Sequence, residues 1–229
     1  MTAVARACLV DVYDTIFRSV FVERVTALAE SVGVSVEDWL GELEKTRFDR
    51  DRGKLTTAAA YDRALRGLGV EPADGLVDDL VRRDAEFARA HTRLFDDTVP
   101  FFEWLRSQGI QIALVSNCGD TTRGLLEHLG VISLVDVVVL SCEVGSAKPS
   151  PEIYVTALAD LGVAAADAVF IDDQPTYCVG AEAVGVRPIQ IVRDGVNAVN
   201  VINAINGAAI GDGWDFPVVH SLLDAKALL

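Results

Sequence analysis

The chain has 229 residues, 51% of them apolar, and a formal net charge of −14. That length holds a full hydrophobic core, as one large domain or one domain carrying an insertion, and the charge argues against nucleic acid and anionic membrane surfaces as partners. No apolar stretch approaches the roughly 18 residues that span a bilayer, since the longest candidate, "VISLVDVVVL", is short and contains Asp136.

The first apolar run, "ACLVDV", reads as a strand that ends at Asp11, with Tyr13, Asp14 and Thr15 close behind. From 16 to 96 the pattern changes to helical periods: "RSVFVERVTALAESVG", "SVEDWLGELEKTRFDRD", "TTAAAYDRALRGLG" and "GLVDDLVRRDAEFARAHTRLF", with turns at Gly33, Gly53, Gly69 and Pro72. This predicts an all-helical insert directly after the first strand. Beyond it, β-branched runs return as "IQIALVS", "VDVVVLS", "AVFID" and "RPIQIV". They alternate with the amphipathic stretches "VPFFEWLRSQG", "TTRGLLEHLG", "SPEIYVTALADLGV" and "AEAVG". Strands apolar on both faces, alternating with helices, predict an α/β fold with a doubly wound parallel sheet. The terminal "NGAAIGDGWDFPVVHSLLDAKALL" reads as a Gly-rich loop and a short apolar helix, with Trp214 packing on the core.

Cys8, Cys118, Cys142 and Cys178 form no C-x-x-C pair, so neither a zinc ribbon nor a redox motif is expected. They read as reduced residues, with any partly exposed thiol near a site open to oxidation. No basic segment followed by an apolar stretch marks the N-terminus for export, and a cytoplasmic location is expected.

Ligands of a parallel sheet bind outside the carboxyl ends of its strands. Here those ends carry Asp11, then Ser116 and Asn117, then Asp172 and Asp173, while Lys148 follows the third strand in "GSAKPSPEIY". Together with "VDVYDT", "LVSN" and "FIDDQPTYCVGAEAVGV", in that order around a helical insert, these segments resemble the haloacid dehalogenase superfamily of hydrolases over essentially the whole chain. The resemblance implies a Rossmann-like core of residues 1–15 and 97–229 and a helical cap of residues 16–96.

It also implies roles. Asp11 matches the nucleophile, whose carboxylate forms a covalent ester or acyl phosphate that water later hydrolyses. Ser116 and Lys148 would bind and offset charge on the substrate. Thr15 and Asn117 would join them in binding the substrate, Thr15 also supporting Asp11 and Asn117 presenting its backbone or orienting its neighbours. Asp172 and Asp173 sit opposite Asp11, and carboxylates gathered around one point repel unless a cation lies among them, which favours Mg2+. The metal set implied is Asp11, Asp172, Asp173 and the backbone carbonyl of Tyr13. Read alone, Ser116 is also a helix N-cap candidate and the acidic pair a capping loop.

Tyr13 stands where phosphatases of the family carry an aspartate that protonates the leaving alcohol. A phenol titrates near 10, so Tyr13 can donate a proton but is a poor base at neutral pH. Asp14 would have to swing inward to take that role. A tyrosine here also fits the metal-independent 2-haloacid dehalogenases, whose halide leaves without a proton, although no cap arginine is marked by a motif among Arg18, Arg47, Arg50 and Arg52. The acidic pair favours a Mg-dependent phosphatase acting on a small, anionic, phosphorylated metabolite. The dehalogenase is the first alternative, and a catalytically weak binding protein is the second, motivated by Tyr13, Tyr177 and Cys178.

Overall fold

The structure, a computed structural model, describes residues 5–193 and 215–229. Its centre is a parallel sheet of β1 (Ala7–Val10), β2 (Gln111–Ser116), β3 (Val137–Leu140), β4 (Ala168–Asp172), β5 (Arg187–Ile191) and β6 (Val218–Val219). The strand order is β3-β2-β1-β4-β5-β6. Chain direction across the sheet therefore reverses at β1, whose Val10 is level with Leu114 of β2 on one side and Ile171 of β4 on the other. This switch point is where open parallel sheets leave a crevice, and Asp11 is the first residue beyond it.

Alternation along the strands builds both faces. Cys8, Val10, Ile112, Leu114, Val169 and Ile171 point to one side, where they pack with Phe101, Phe102 and Leu105 of α6 (Thr98–Ser107) and Leu125 and Leu126 of α7 (Thr122–His128). Leu9, Ala113, Val115, Val139 and Phe170 point to the other side, against Ile153, Tyr154 and Leu158 of α9 (Pro151–Leu161) and Ala181 of α10 (Pro175–Ala183). A four-residue helix, α8 (Ser141–Val144), follows β3. Strands buried on both faces are what the continuous β-branched runs encode.

Between β1 and α6 lie α1 (Phe21–Val32), α2 (Val36–Lys45), α3 (Arg47–Arg50), α4 (Thr57–Gly67) and α5 (Leu76–His91). They enclose an apolar cluster separate from the two sheet faces, made of Val25, Leu28, Trp39, Leu43, Tyr61, Leu65 and Leu80 among others. Two of these helices carry side-chain N-caps: Ser35 Oγ accepts the Asp38 N–H at 3.0 Å and Thr56 Oγ1 accepts the Ala59 N–H at 3.2 Å. The single helical run expected over 35–51 breaks at Thr46, whose hydroxyl donates back to the Leu43 carbonyl at 2.9 Å.

The C-terminal expectation needs correcting. The short helix expected there is a 3-10 helix over Asp224–Leu228, and before it Val218–Val219 adds an unexpected strand beside β5. Two adjacent β-branched residues beside an open sheet edge gain ladder hydrogen bonds that a short helix would forgo. Trp214 and the Gly-rich segment before Asp215 lie outside the described residues. Among the described residues, no helix is long and apolar enough to cross a membrane.

Candidate active site

Asp11 is placed by the last rungs of β1, its N–H donating to the Ile171 carbonyl at 2.9 Å. Its side chain is almost fully buried and held on both oxygens. Thr15 Oγ1 donates to Oδ2 at 3.1 Å, and Lys148 Nζ donates to Oδ1 at 2.5 Å. The same ammonium lies 2.6 Å from Asp172 Oδ2. Lys148 thus bridges two strand ends although it comes from the loop after β3.

That reach depends on Asn117. Its amide donates to the Lys148 carbonyl at 2.8 Å and its Oδ1 accepts the Lys148 N–H at 2.7 Å. The side chain of Asn117, at the end of β2, therefore fixes the backbone of the Lys148 loop. The ammonium also lies 4.9 Å from the centre of the Tyr177 ring and 5.4 Å from that of Phe170. Burial acts to lower the Lys148 pKa, but the Asp11 and Asp172 carboxylates outweigh it and hold the ammonium charged.

Asp172 is the last residue of β4 and fully buried. Its Oδ1 accepts the Gln174 N–H at 2.7 Å. Burial, reinforced by the charge of Asp11, pushes its carboxyl up to about 7 against the opposing pull of Lys148. Asp173 is raised well above the ordinary carboxylate range by burial and by the charges of Asp172 and Asp11. Gln174 Nε2 donates to Asp173 Oδ2 at 2.5 Å. Neither aspartate is the residue before α10; Gln174 is. Nothing in "DDQP" marked Gln174, beyond its place between the acidic pair and the proline that opens α10.

Carboxylate oxygens of Asp11, Asp172 and Asp173 lie within 4.8 Å of one another. Lys148 pairs with two of the three carboxylates and offers a single charge, so the cluster with Asp173 suits a hard cation with oxygen ligands. Ser116 closes β2, one residue beyond the level of Asp11, and is fully buried, its Oγ without a hydrogen-bond partner among the described residues. It is not a helix cap, since α7 begins only at Thr122. A buried hydroxyl left without a partner is costly unless a ligand completes it.

Tyr13 turns away from this cluster. Its hydroxyl hydrogen-bonds Thr122 Oγ1 at 2.9 Å and its ring meets Phe17 edge-on at 5.0 Å. Burial pushes the phenol up to about 12. Tyr13 also lines a small cleft with Arg24, Arg89 and Thr122. Arg24, an arginine that no motif marked, is paired with the buried Asp84 at 3.2 Å. Asp14 sits at φ 57, a left-handed conformation that aspartate tolerates better than most residues, and its Oδ1 accepts the Ser19 N–H at 2.8 Å. Of the departures in the fourth segment, Cys178 is buried core and the Tyr177 carbonyl accepts the Tyr154 hydroxyl at 2.7 Å.

A second set of contacts ties this loop to the far side of the sheet. Arg193 donates to the Thr15 carbonyl at 2.6 Å and pairs in two-pronged fashion with Asp97, at 2.6 and 2.9 Å. Asp97 also accepts the Ser221 hydroxyl and the Leu222 N–H, both at 2.8 Å. Neither Asp97 nor Arg193 carries a signal in the sequence, because the partners are distant in the chain.

Known proteins share the fold that carries these residues. The haloacid dehalogenase-like hydrolase family model matches residues 5–185. "Phosphatase MT3486" of Mycobacterium tuberculosis is 32% identical over 139 residues, 59% of this chain and 63% of that one. The chain thus spans a little under two thirds of that relative's length. The "Glyceraldehyde 3-phosphate phosphatase" of Methanopyrus kandleri is 28% identical over 196 residues, covering 82% of this chain and 84% of its own. The crystal structure of a haloacid dehalogenase-type phosphatase from Thermococcus onnurineus superposes with a TM-score of 0.69 at 22% identity, covering 97% of both chains. With the family model matched over most of its length and the strand-end residues gathered at the switch point, this chain belongs to the haloacid dehalogenase-like hydrolases.

Proposed function

We propose that the chain is a magnesium-dependent phosphatase of small phosphorylated metabolites with Asp11 as its nucleophile. The observation that carries this reading is the gathering of the Asp11, Asp172 and Asp173 carboxylates, the first two bridged by Lys148, with the Ser116 hydroxyl, unpartnered among the described residues, at the neighbouring strand end. A dehalogenase with no metal would have no use for so costly a cluster, whereas a divalent cation offsets the charge that Lys148 leaves. Asp11, Asp172, Asp173 and the Tyr13 backbone carbonyl would hold Mg2+, which when bound offsets charge developing on the phosphoryl oxygens.

The chain's own residues divide the work. Lys148 and Thr15 orient the Asp11 carboxylate, one oxygen of which attacks phosphorus as the bond to the leaving oxygen breaks. Ser116 donates its hydroxyl to a phosphoryl oxygen, and Lys148 offsets charge in the transition state. Water then attacks the phosphoaspartate at phosphorus, releasing phosphate and restoring Asp11.

The Tyr13 hydroxyl is engaged by Thr122, and a pKa pushed up to about 12 makes the phenol a weak proton donor. The leaving group therefore departs without a dedicated acid, which favours acyl phosphates and activated esters over simple alkyl phosphates.

Residues 16–96 act in this reading as the cap. Asp120, after β2, accepts both the N–H and the hydroxyl of Thr57 at the start of α4, the latter at 2.5 Å. Gly53 packs so closely on the core that a Cβ there would lie 1.9 Å from the Cys142 carbonyl oxygen. With Asp11 and Lys148 about 95% buried, substrate entry requires this seam to open. The names of the two relatives support the phosphatase reading.

The test is phosphate release from a panel of phosphate esters and acyl phosphates, with magnesium or with chelator. Release should require magnesium and vanish in Asp11→Asn; undiminished release in that variant ends the proposal. Tyr13 with Arg24 beside it favours a second reading, metal-independent 2-haloacid dehalogenation. Halide release from 2-chloropropionate in excess chelator would establish it. Asp11-dependent turnover of any of these substrates disposes of the inert binding protein.

A further inference from the structure

The fold brings together two cysteines that the sequence keeps apart. Cys118 lies just beyond the end of β2 and Cys142 in α8, and their sulfurs are 3.9 Å apart. The two loops are already stitched: the Cys118 N–H donates to Ser141 Oγ at 2.9 Å, and Ser141 Oγ reaches back to the Cys118 carbonyl at 3.4 Å. A disulfide bond measures about 2.05 Å, so small side-chain rotations and a loop shift on the order of 1–2 Å would close it.

We propose that Cys118 and Cys142 form a peroxide-sensitive oxidation site that closes to an intrachain disulfide across the two loops. The partners are unlike in the way such a reaction needs. Cys142 is partly exposed, and the hydrogen bond it shares with Cys118 lowers its pKa, against the opposing effects of burial and of the charges of Glu143 and Asp120. Cys118 is buried and raised well above the ordinary thiol range, first by that hydrogen bond and then by burial. Exposure makes Cys142 the sulfur that peroxide reaches first, and the buried Cys118 the one that resolves. Cys8 and Cys178 are fully buried, and burial pushes both thiols up.

The chemistry balances with a peroxide as the only oxidant. The Cys142 thiolate attacks one peroxide oxygen, an S–O bond forms as the O–O bond breaks, and the departing hydroxide takes up a proton to leave as water. The Cys118 sulfur then attacks the Cys142 sulfur, the S–S bond forms as the S–O bond breaks, and the hydroxide leaves with the Cys118 proton as a second water. Two thiols are oxidised by two electrons in total, and one peroxide is reduced.

The position gives the bond a consequence. Asn117, next to Cys118, holds the Lys148 loop, and Asp120, two residues on, holds Thr57. The Cys142 carbonyl is the surface on which Gly53 rests. Drawing the two loops together therefore shifts both Lys148 and the seat of the helical insert. Loss of turnover on oxidation rests on the phosphatase reading above; bond formation does not.

The experiment is peroxide titration of the full chain followed by peptide mapping under non-reducing conditions. The 118 and 142 peptides should appear linked, and Cys142 should react roughly tenfold or more faster than Cys8 or Cys178. In Cys118→Ser the resolving sulfur is gone, so Cys142 should be trapped as a dimedone adduct of its sulfenic acid; in Cys142→Ser, Cys118 should stay a free thiol. Dithiothreitol should reverse the link in wild type. Overoxidation of Cys142 with Cys118 still free, linkage to a different cysteine, or no preference for Cys142 would each overturn the proposal, whatever the hydrolytic activity proves to be.

Discussion

Lys148→Met keeps most of the stem volume and removes the ammonium that stands 2.5 Å from Asp11 and 2.6 Å from Asp172. At an effective dielectric near 20 each contact is an attraction on the order of 6–7 kcal/mol, largely offset by the cost of keeping the charges out of water. Removing one partner of a buried pair costs a net of about 3–5 kcal/mol. At the lower figure, a chain of this size should melt roughly 6–12 °C below wild type. The assay is calorimetric unfolding in chelator, repeated with magnesium. Added magnesium should narrow the gap, because a divalent cation supplies the charge balance that the lysine gave. Turnover should fall about 10²–10³-fold, the usual loss for one transition-state charge partner. A variant melting within about 2 °C of wild type in chelator would refute the claim that this ammonium offsets the buried carboxylates.

Asp97→Asn weakens the tie among Arg193, Ser221 and Leu222 and should cost about 2–3 kcal/mol at pH 7, read by urea unfolding. Burial acts to raise the Asp97 carboxyl, but Arg193 and the other donors outweigh it and hold it below its ordinary value. A depressed pKa contributes stability that is full above the unfolded carboxylate value and lost as pH falls through the folded one, so the gap to wild type should close below about pH 4. Tyr13→Phe removes only the bond to Thr122 and should cost about 1 kcal/mol of stability. Acyl-phosphate turnover should stay within about twofold, and a loss of 10²-fold would make the phenol a general acid after all. Asp120→Ala removes the acceptor for both Thr57 donors, and limited proteolysis should then cut faster in the segment around Gly53; an unchanged rate would contradict its part in seating the insert.

What the sequence made legible was whatever local pattern encodes. Burial on both faces left the strands as uninterrupted β-branched runs, and their ends located Asp11, Ser116 and Asp172 because a parallel sheet collects its ligands there. The insert was readable because its helices bury only one face. The part of Asn117 was foreseen only in outline, since its clamp on the Lys148 backbone joins residues in loops after different strands. Asp97 with Arg193, Asp120 with Thr57, and Cys118 with Cys142 are pairs of the same kind, created by topology between residues that carry no local pattern. The strand at Val218–Val219 escaped notice because two residues are too few to show a period, and what makes them a strand is the open edge of β5.

The central claim, that Asp11 carries a phosphoryl group beside a divalent cation, is tested most directly without a substrate. Beryllium fluoride mimics a phosphoryl group on an aspartate, so thermal unfolding is measured with magnesium and beryllium fluoride together, for wild type and Asp11→Asn. At about a hundred times its dissociation constant a native-state ligand adds roughly 2.7 kcal/mol, a rise of about 5–11 °C for this chain. Wild type should show that rise and lose it on chelation, and Asp11→Asn should show none. An equal rise in both proteins, or none in wild type, would contradict it.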